Sequence, residues 1–232
     1  MATRPSFQSD KREREMIARF NLVKKDPKRD GVDAVLVLDG ADVPFELKSS
    51  DGADISTARD VGPEHIIKWR SRHWLFGFFD KQSDELKFCY YASPVLMERW
   101  IAQQEAYVQA DVRMVNTVPE LIDPDAMDMI VGSKPEYSLA DARNLLKAQR
   151  MPDGTKMGTP KYREYMDLPN GFSRDRMLEL VRLRCYYLLD RGATRNNPHI
   201  PSAYFRDWER IGLDGDYAGR LRTLVKDALA KH

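Results

Sequence analysis

Two short apolar runs, residues 33–38 and 43–48, flank Asp39-Gly40-Ala41-Asp42 and constrain the chain more than any other feature. They read as a β-hairpin with a turn-rich tip. Pairing Leu38 with Val43 closes a four-residue loop, sets Ala34 opposite Leu47 and sets Asp33 opposite Lys48. Residues alternate along a strand, and cross-strand partners share a face. One face is then wholly apolar: Ala34, Leu36, Leu38, Val43, Phe45 and Leu47. The other holds Asp33, Val35, Val37, Pro44, Glu46 and Lys48, with Glu46 diagonal to Asp33. A one-residue slip would break both patterns. A chain built this way needs a core against one face of the hairpin, and it gathers two carboxylates and an ammonium at one end of the other.

The flanking segments supply partners for that hairpin. Ser9 is placed to cap a helix over 9–23, with Met16, Ile17, Phe20 and Val23 as its apolar stripe. A polar link with Pro27 follows. Pro63 opens a helix to about residue 72. Residues 74–80 and 86–92 form a second hairpin around the turn at 81–84, and Pro94 opens a helix to about residue 109. The order is that of an α/β or α+β core, a mixed sheet flanked by helices. Residues 111–232 read as a mainly helical elaboration. Ser138 and Asp141 are spaced as a capping box for a helix to about residue 149. Residues 151–171 read as loop. Ser173 caps a long helix to about residue 190, stopped by Gly192, and two shorter helices close the chain. With no clear linker, 1–232 reads as one domain, with its core at 9–110.

Composition narrows the class. The 232 residues are 42% hydrophobic and 31% charged, which suits a folded domain and excludes a disordered chain. The longest apolar stretch, 74–79, is far short of the ~20 residues that span a bilayer. No apolar leader is visible at the N-terminus, so a cytoplasmic location is expected, and Cys89 and Cys185 offer neither a disulfide framework nor a zinc-ligand cluster. The net charge of +1 excludes a uniformly basic coat. Charge is nonetheless uneven: residues 1–30 hold nine Lys/Arg and five Asp/Glu, whereas 31–55 hold six acids and one Lys. An acidic site flanked by basic segments suits a metal-dependent enzyme acting on a polyanion. Ordinary variation on a solvated surface would look similar.

Three Asp/Glu-x-Lys triplets occur: Asp26-Pro-Lys28, Glu46-Leu-Lys48 and Glu85-Leu-Lys87. The first lies in a turn and the third at a hairpin tip. Only Glu46 and Lys48 share a strand face with a second carboxylate, Asp33. Neighbouring carboxylates repel and call for a counterion. Mg²⁺, a hard cation that takes oxygen ligands and keeps waters, fits that need, and Lys48 could orient water or stabilise developing charge. The bland alternative is a surface ion pair of little energetic worth.

Asp33, the thirteen-residue step to Glu46, and Lys48, in helix–hairpin–helix–strand order, resemble the PD-(D/E)XK nuclease superfamily over roughly residues 9–110. Within it the chain is most similar to type II restriction endonucleases, by size and by the stretch from Ser56-Thr57-Ala58-Arg59-Asp60 through Trp74. Val32 stands where the motif's name has proline. The resemblance implies a restriction-endonuclease-like fold and Mg²⁺-dependent cleavage of double-stranded DNA at a short site, by a homodimer. Asp33, Glu46 and the Leu47 carbonyl would be the metal ligands and Lys48 the catalytic lysine. It also makes 111–232 the expected source of DNA-recognition and dimerisation elements.

Many such enzymes use an acid from the first helix. Glu13 lies near the Met16/Phe20 stripe and would face the sheet near Asp33, while Glu15 points away; an ordinary helix-dipole glutamate is the alternative. Candidate DNA contacts are Ser56, Thr57, Arg59, Asp60, His65, Lys68 and Arg70, within a segment that also holds Arg72, His73 and Trp69. Gln149, Arg150 and Lys156, and Arg195-Asn196-Asn197 with His199, are loop residues of base-reading types. The expected activity is sequence-specific endonuclease action by metal-activated water. The alternatives are a structure-specific repair or recombination nuclease, a catalytically silent DNA-binding module, and a plain interaction protein.

Overall fold

The first hairpin sits inside a six-stranded mixed sheet. The structure, a computed structural model, describes residues 5–25, 31–151 and 154–231. In chain order α1 (Pro5–Arg19) leads to β1 (Val23–Lys24), β2 (Ala34–Leu38), β3 (Ala41–Ser50), the short β4 (Ile55–Ser56), α2 (Pro63–Arg70), β5 (His73–Phe79), β6 (Leu86–Ala92) and α3 (Pro94–Thr117). Next come a 3₁₀ turn (Val118–Leu121), α4 (Pro124–Val131), β7 (Tyr137–Ser138), α5 (Leu139–Leu146), α6 (Thr159–Glu164), β8 (Gly171–Phe172) and α7 (Arg174–Gly192). The chain closes with β9 (His199–Ile200), a second 3₁₀ turn (Ser202–Asp207), β10 (Glu209–Gly212) and α8 (Tyr217–Leu229). The main sheet runs β1-β2-β3-β5-β6-β10. All its pairs are antiparallel except β3 with β5, which α2 joins as a crossover. No helix among the described residues is long and apolar enough to cross a membrane.

The first hairpin is tighter than the sequence suggests. Leu38 pairs with Ala41 and Ala34 with Phe45, so only Asp39 and Gly40 form the loop, both with positive φ (51° and 85°). An Asp-Gly pair suits the two-residue turn whose twist matches the strands. The register thus differs by two residues from the four-residue-loop pairing. A two-residue shift preserves the faces. Ala34, Leu36, Leu38, Val43, Phe45 and Leu47 all enter one core with Met16 of α1, Phe20 just after it, and Leu221 and Val225 of α8.

The opposite face is aromatic. Trp74 and Phe76 of β5 stack on each other (5.6 Å between centroids), and Trp69 of α2 and Trp100 of α3 pack against Trp74. Trp208 stacks on Phe76 at 5.0 Å. Gly77 is a close approach on β5: a Cβ there would lie 2.6 Å from Met16 Sδ and 3.0 Å from the Phe79 ring.

Several boundaries move for identifiable reasons. α1 begins at Pro5, so Ser9 lies within the helix. It ends before Asn21, whose φ of 52° stops it, and Val23 passes into β1. α3 runs past residue 109 to Thr117. The 151–171 stretch contains α6, opened by Thr159-Pro160. The end of the chain holds β10 and one α-helix where two helices were expected. The Ser138/Asp141 capping box forms, and Ser173 caps α7 by accepting from Arg176 N–H. Gly192 is the last residue of α7.

The chain divides into two compact units: Met1–Tyr107 with Arg195–His232, and Val108–Thr194. Residues 195–232, grouped by the sequence with the helical elaboration, supply β10 to the main sheet. The second unit has its own core, with Tyr137, Phe172, Met177 and Leu180 at its centre. Cys89 is buried and Cys185 half-buried, and both are free thiols.

Overpacking at Gly77 is the expected weak point of the main core. Gly77→Ala should cost about 1–3 kcal/mol in urea unfolding; an unchanged midpoint would mean that Met16 and the Phe79 ring move aside freely.

Candidate active site

β3 carries the site because it is paired on both edges and its odd residues anchor the core. The even residues Glu46 and Lys48 then project from the other face, beside Trp74 and Phe76 in the parallel register. Continuing the β2–β3 pairing past Ala34 and Phe45 brings Asp33 opposite Glu46, with Lys48 diagonal. The two-residue shift therefore exchanges the positions expected for Glu46 and Lys48.

The resulting cluster is tight and largely buried. Lys48 Nζ donates to Glu46 Oε1 at 2.7 Å and lies 3.8 Å from Asp33 Oδ2. Leu47 N–H donates to Asp33 Oδ2 at 2.9 Å. Arg72 Nη1 donates to Glu46 Oε2, and Arg72 Nη2 donates to the Gly31 carbonyl. Side-chain exposures of 18% for Asp33, 8% for Glu46, 16% for Lys48 and 9% for Arg72 set these pairs apart from exposed surface ion pairs. Trp74 Nε1, in the adjoining aromatic wall, is buried without a hydrogen-bond partner among the described residues.

The electrostatics separate the carboxylates. Burial raises the Asp33 carboxyl above its ordinary value, opposed by Lys48 and reinforced by the charge on Glu46. Burial would raise Glu46 too, but Lys48 and Arg72 outweigh it and hold Glu46 low. Burial also lifts the half-buried Glu13, with Asp33 adding to the effect. Glu13 therefore lies within electrostatic reach of Asp33, on the side its helix phase indicated, and Lys24 Nζ is 3.7 Å away. Glu15 instead pairs with Arg19 on the helix surface. Lys48 is raised: burial alone would lower it, and Glu46 and Asp33 prevail. Displaced titrations of this kind gather at functional sites, although structural ion pairs also produce them.

The predicted DNA-contacting residues divide by surroundings. Ser56 Oγ lies 3.3 Å from His199 Nδ1, and Thr57 Oγ1 donates to the Pro198 carbonyl at 2.7 Å. β4 pairs with β9, and Val61 bridges Arg195, so the 56–61 stretch and the 195–199 loop lie side by side. Arg59 and Asp60 are exposed there, Asp60 with φ 53°. His65 is exposed as a residue, yet burial of its ring lowers its basicity, with opposing influences from Glu46 and Lys48. Lys68 is exposed, 3.9 Å from Glu64. Arg70 is held by Glu98 and Glu105 of α3, with bonds down to 2.6 Å. Arg150 and Lys156 are bridge partners in the second unit, and Gln149 is buried there.

Arg72 is the cluster member that sequence reasoning placed only among general basic residues. Its signal was positional: it immediately precedes β5, whose His73 pairs with Phe45, so residue 72 falls beside the Glu46 end of β3.

Asp33, Glu46 and the Leu47 carbonyl offer hard oxygen donors, the type Mg²⁺ takes. Among the described residues no group of three or more His, Cys, Asp or Glu side chains is arranged to hold a metal ion. Two carboxylates and a main-chain carbonyl do not require such a group, and the cost of ionising Asp33 is one that an added cation would relieve. Comparison with protein-family models and with curated proteins finds no match.

The opposite shifts of Asp33 and Glu46 make opposite stability predictions. A raised carboxyl favours the fold below the unfolded Asp value of about 4, and that contribution is lost as pH rises through the higher folded value. Asp33→Asn should therefore raise Tm at pH 7, with the gain vanishing at and below about pH 4. Glu46→Gln should lower stability at pH 7 by about 3 kcal/mol, because it leaves buried Arg72 without its carboxylate. Thermal melts from pH 3 to 8 read both, and a lowered Tm for Asp33→Asn at pH 7 would contradict the assignment.

Proposed function

We propose that the protein is a Mg²⁺-dependent, sequence-specific endonuclease of double-stranded DNA, a type II restriction enzyme with a PD-(D/E)XK-like core. The observation that carries this reading is the pairing of Asp33 with Glu46 across the hairpin, with Lys48 between them, on the face of β3 turned away from the hairpin's apolar core. A helix, a hairpin, a crossover helix and a strand parallel to β3 are the elements such a core uses, and they support it. So does Glu13, close enough to Asp33 to feel its charge.

In this reading Asp33, Glu46 and the Leu47 carbonyl hold the cation, and Glu13 adds negative potential or a hydrogen bond to its water. The bound cation would lower the pKa of a water and neutralise charge developing at phosphorus. Lys48, a buried ammonium kept charged by its two carboxylates, is placed to hold the attacking water or the phosphoryl oxygen. Ser56, Arg59, Asp60, His65 and Lys68, with Asn196 and His199 of the adjoining loop, are the exposed DNA-facing candidates, and Thr57 and Arg195 are half-buried beside them. Arg70, occupied by two carboxylates, would have to exchange partners to reach a phosphate. A homodimer would cut both strands symmetrically, and a reducing cytoplasm is the compartment that fits two free thiols.

Alanine variants test this directly. Glu46→Ala should abolish cleavage while gel-shift DNA binding survives. Lys48→Ala should lower the cleavage rate by a factor of about 100 or more, the scale of losing a positioned acid–base or charge-stabilising group. Unchanged cleavage in a folded Glu46→Ala protein would defeat the site assignment.

A further inference from the structure

Arg72 occupies an oxygen that a cation ligand would need. Both carboxylate oxygens of Glu46 are engaged, Oε1 by Lys48 and Oε2 by Arg72. Arg72 has a second anchor in the Gly31 carbonyl, on the chain leading into Asp33. Its backbone is fixed as well, since its N–H donates to the Trp69 carbonyl at 3.2 Å at the end of α2. A guanidinium cannot shed its charge, and its planar fork suits two acceptors set at fixed positions. Held on two acceptors, it does not drift off as a flexible lysine would.

Charge bookkeeping gives this arrangement a consequence. Glu13 is offset by Lys24, so Asp33 and Glu46, when ionised, face Lys48 and Arg72 with no net charge. A divalent cation would then leave the cluster with an excess of two positive charges, which bound DNA phosphates would offset. Without Arg72 the cluster would carry one net negative charge and attract a divalent cation with no DNA present.

We propose that Arg72 is a positioning residue that stands in for the metal at Glu46, holding its carboxylate oriented and keeping the free protein's affinity for divalent cations low. This rests on the nuclease reading of the site. If Arg72 only neutralised a buried carboxylate at a cluster that binds no metal, its loss would change stability and create no Ca²⁺ affinity.

Calorimetric titration of the full chain with Ca²⁺, without DNA, separates these roles. Wild type, Arg72→Gln, Arg72→Lys and Asp33→Asn are compared, each checked for folding by circular dichroism. Removing one positive charge a few ångströms from the ligand should tighten Ca²⁺ binding by about tenfold or more in Arg72→Gln. Arg72→Lys keeps the charge but cannot span Glu46 and Gly31, so it should tighten binding by a smaller factor; it carries the test if Arg72→Gln fails to fold. Asp33→Asn should weaken binding. Affinity that is unchanged or weaker in the Arg72 variants, with Asp33→Asn still weakening it, would overturn the role of Arg72 and leave the metal site standing. No Ca²⁺ binding sensitive to Asp33 in wild type or the Arg72 variants would overturn the metal site and the inference together.

Discussion

Glu46 is a buried carboxylate in a paired interior strand, and most of the candidate site is arranged around the cost of that burial. An isolated buried charge is expensive, and breaking a buried pair costs several kcal/mol. Lys48 and Arg72 offset the cost on opposite oxygens, and Asp33 sits across the hairpin with its own ionisation disfavoured. The alternation of β3 makes this possible. Phe45 and Leu47 are fully used in the core with α1 and α8, so the strand is held rigidly from one face while its even residues carry charge on the other.

Much of this arrangement was legible in the residues. The apolar face of the first hairpin, the second hairpin at 74–92, the helix from Pro63, the capping box at Ser138 and the N-cap at Ser173 follow from period, turn and capping chemistry. The pairing partner of Asp33 was less accessible. Both registers keep the same faces, and only the preference of Asp39-Gly40 for a two-residue turn separates them. The end of α1 at Asn21 had a signal too, a residue tolerant of positive φ. β10 had none that periodicity could supply, because a four-residue strand at a sheet edge depends on the partner it meets, here β6.

The same limit applies to the site. Asp33, Glu46 and Lys48 are visible because strand alternation is local. Glu13 needed only helix phase. Arg72 depends on the parallel register of β3 with β5, a pairing set by the crossover through α2, and sequence spacing alone does not reveal it. The side-by-side placement of 56–61 and 195–199 is likewise non-local, joining stretches far apart in the chain through β4 and β9.

The central claim is that this charged cluster cuts DNA when a divalent cation is supplied. The most direct measurement is digestion of long, fully sequenced, unmethylated DNAs with and without Mg²⁺, read by sequencing the ends. The account predicts discrete fragments only with Mg²⁺, with ends that share one short sequence and a constant stagger. No cleavage with Mg²⁺ or Mn²⁺, on linear and branched DNA alike, would contradict it and leave Asp33, Glu46, Lys48 and Arg72 as a buried structural ion network.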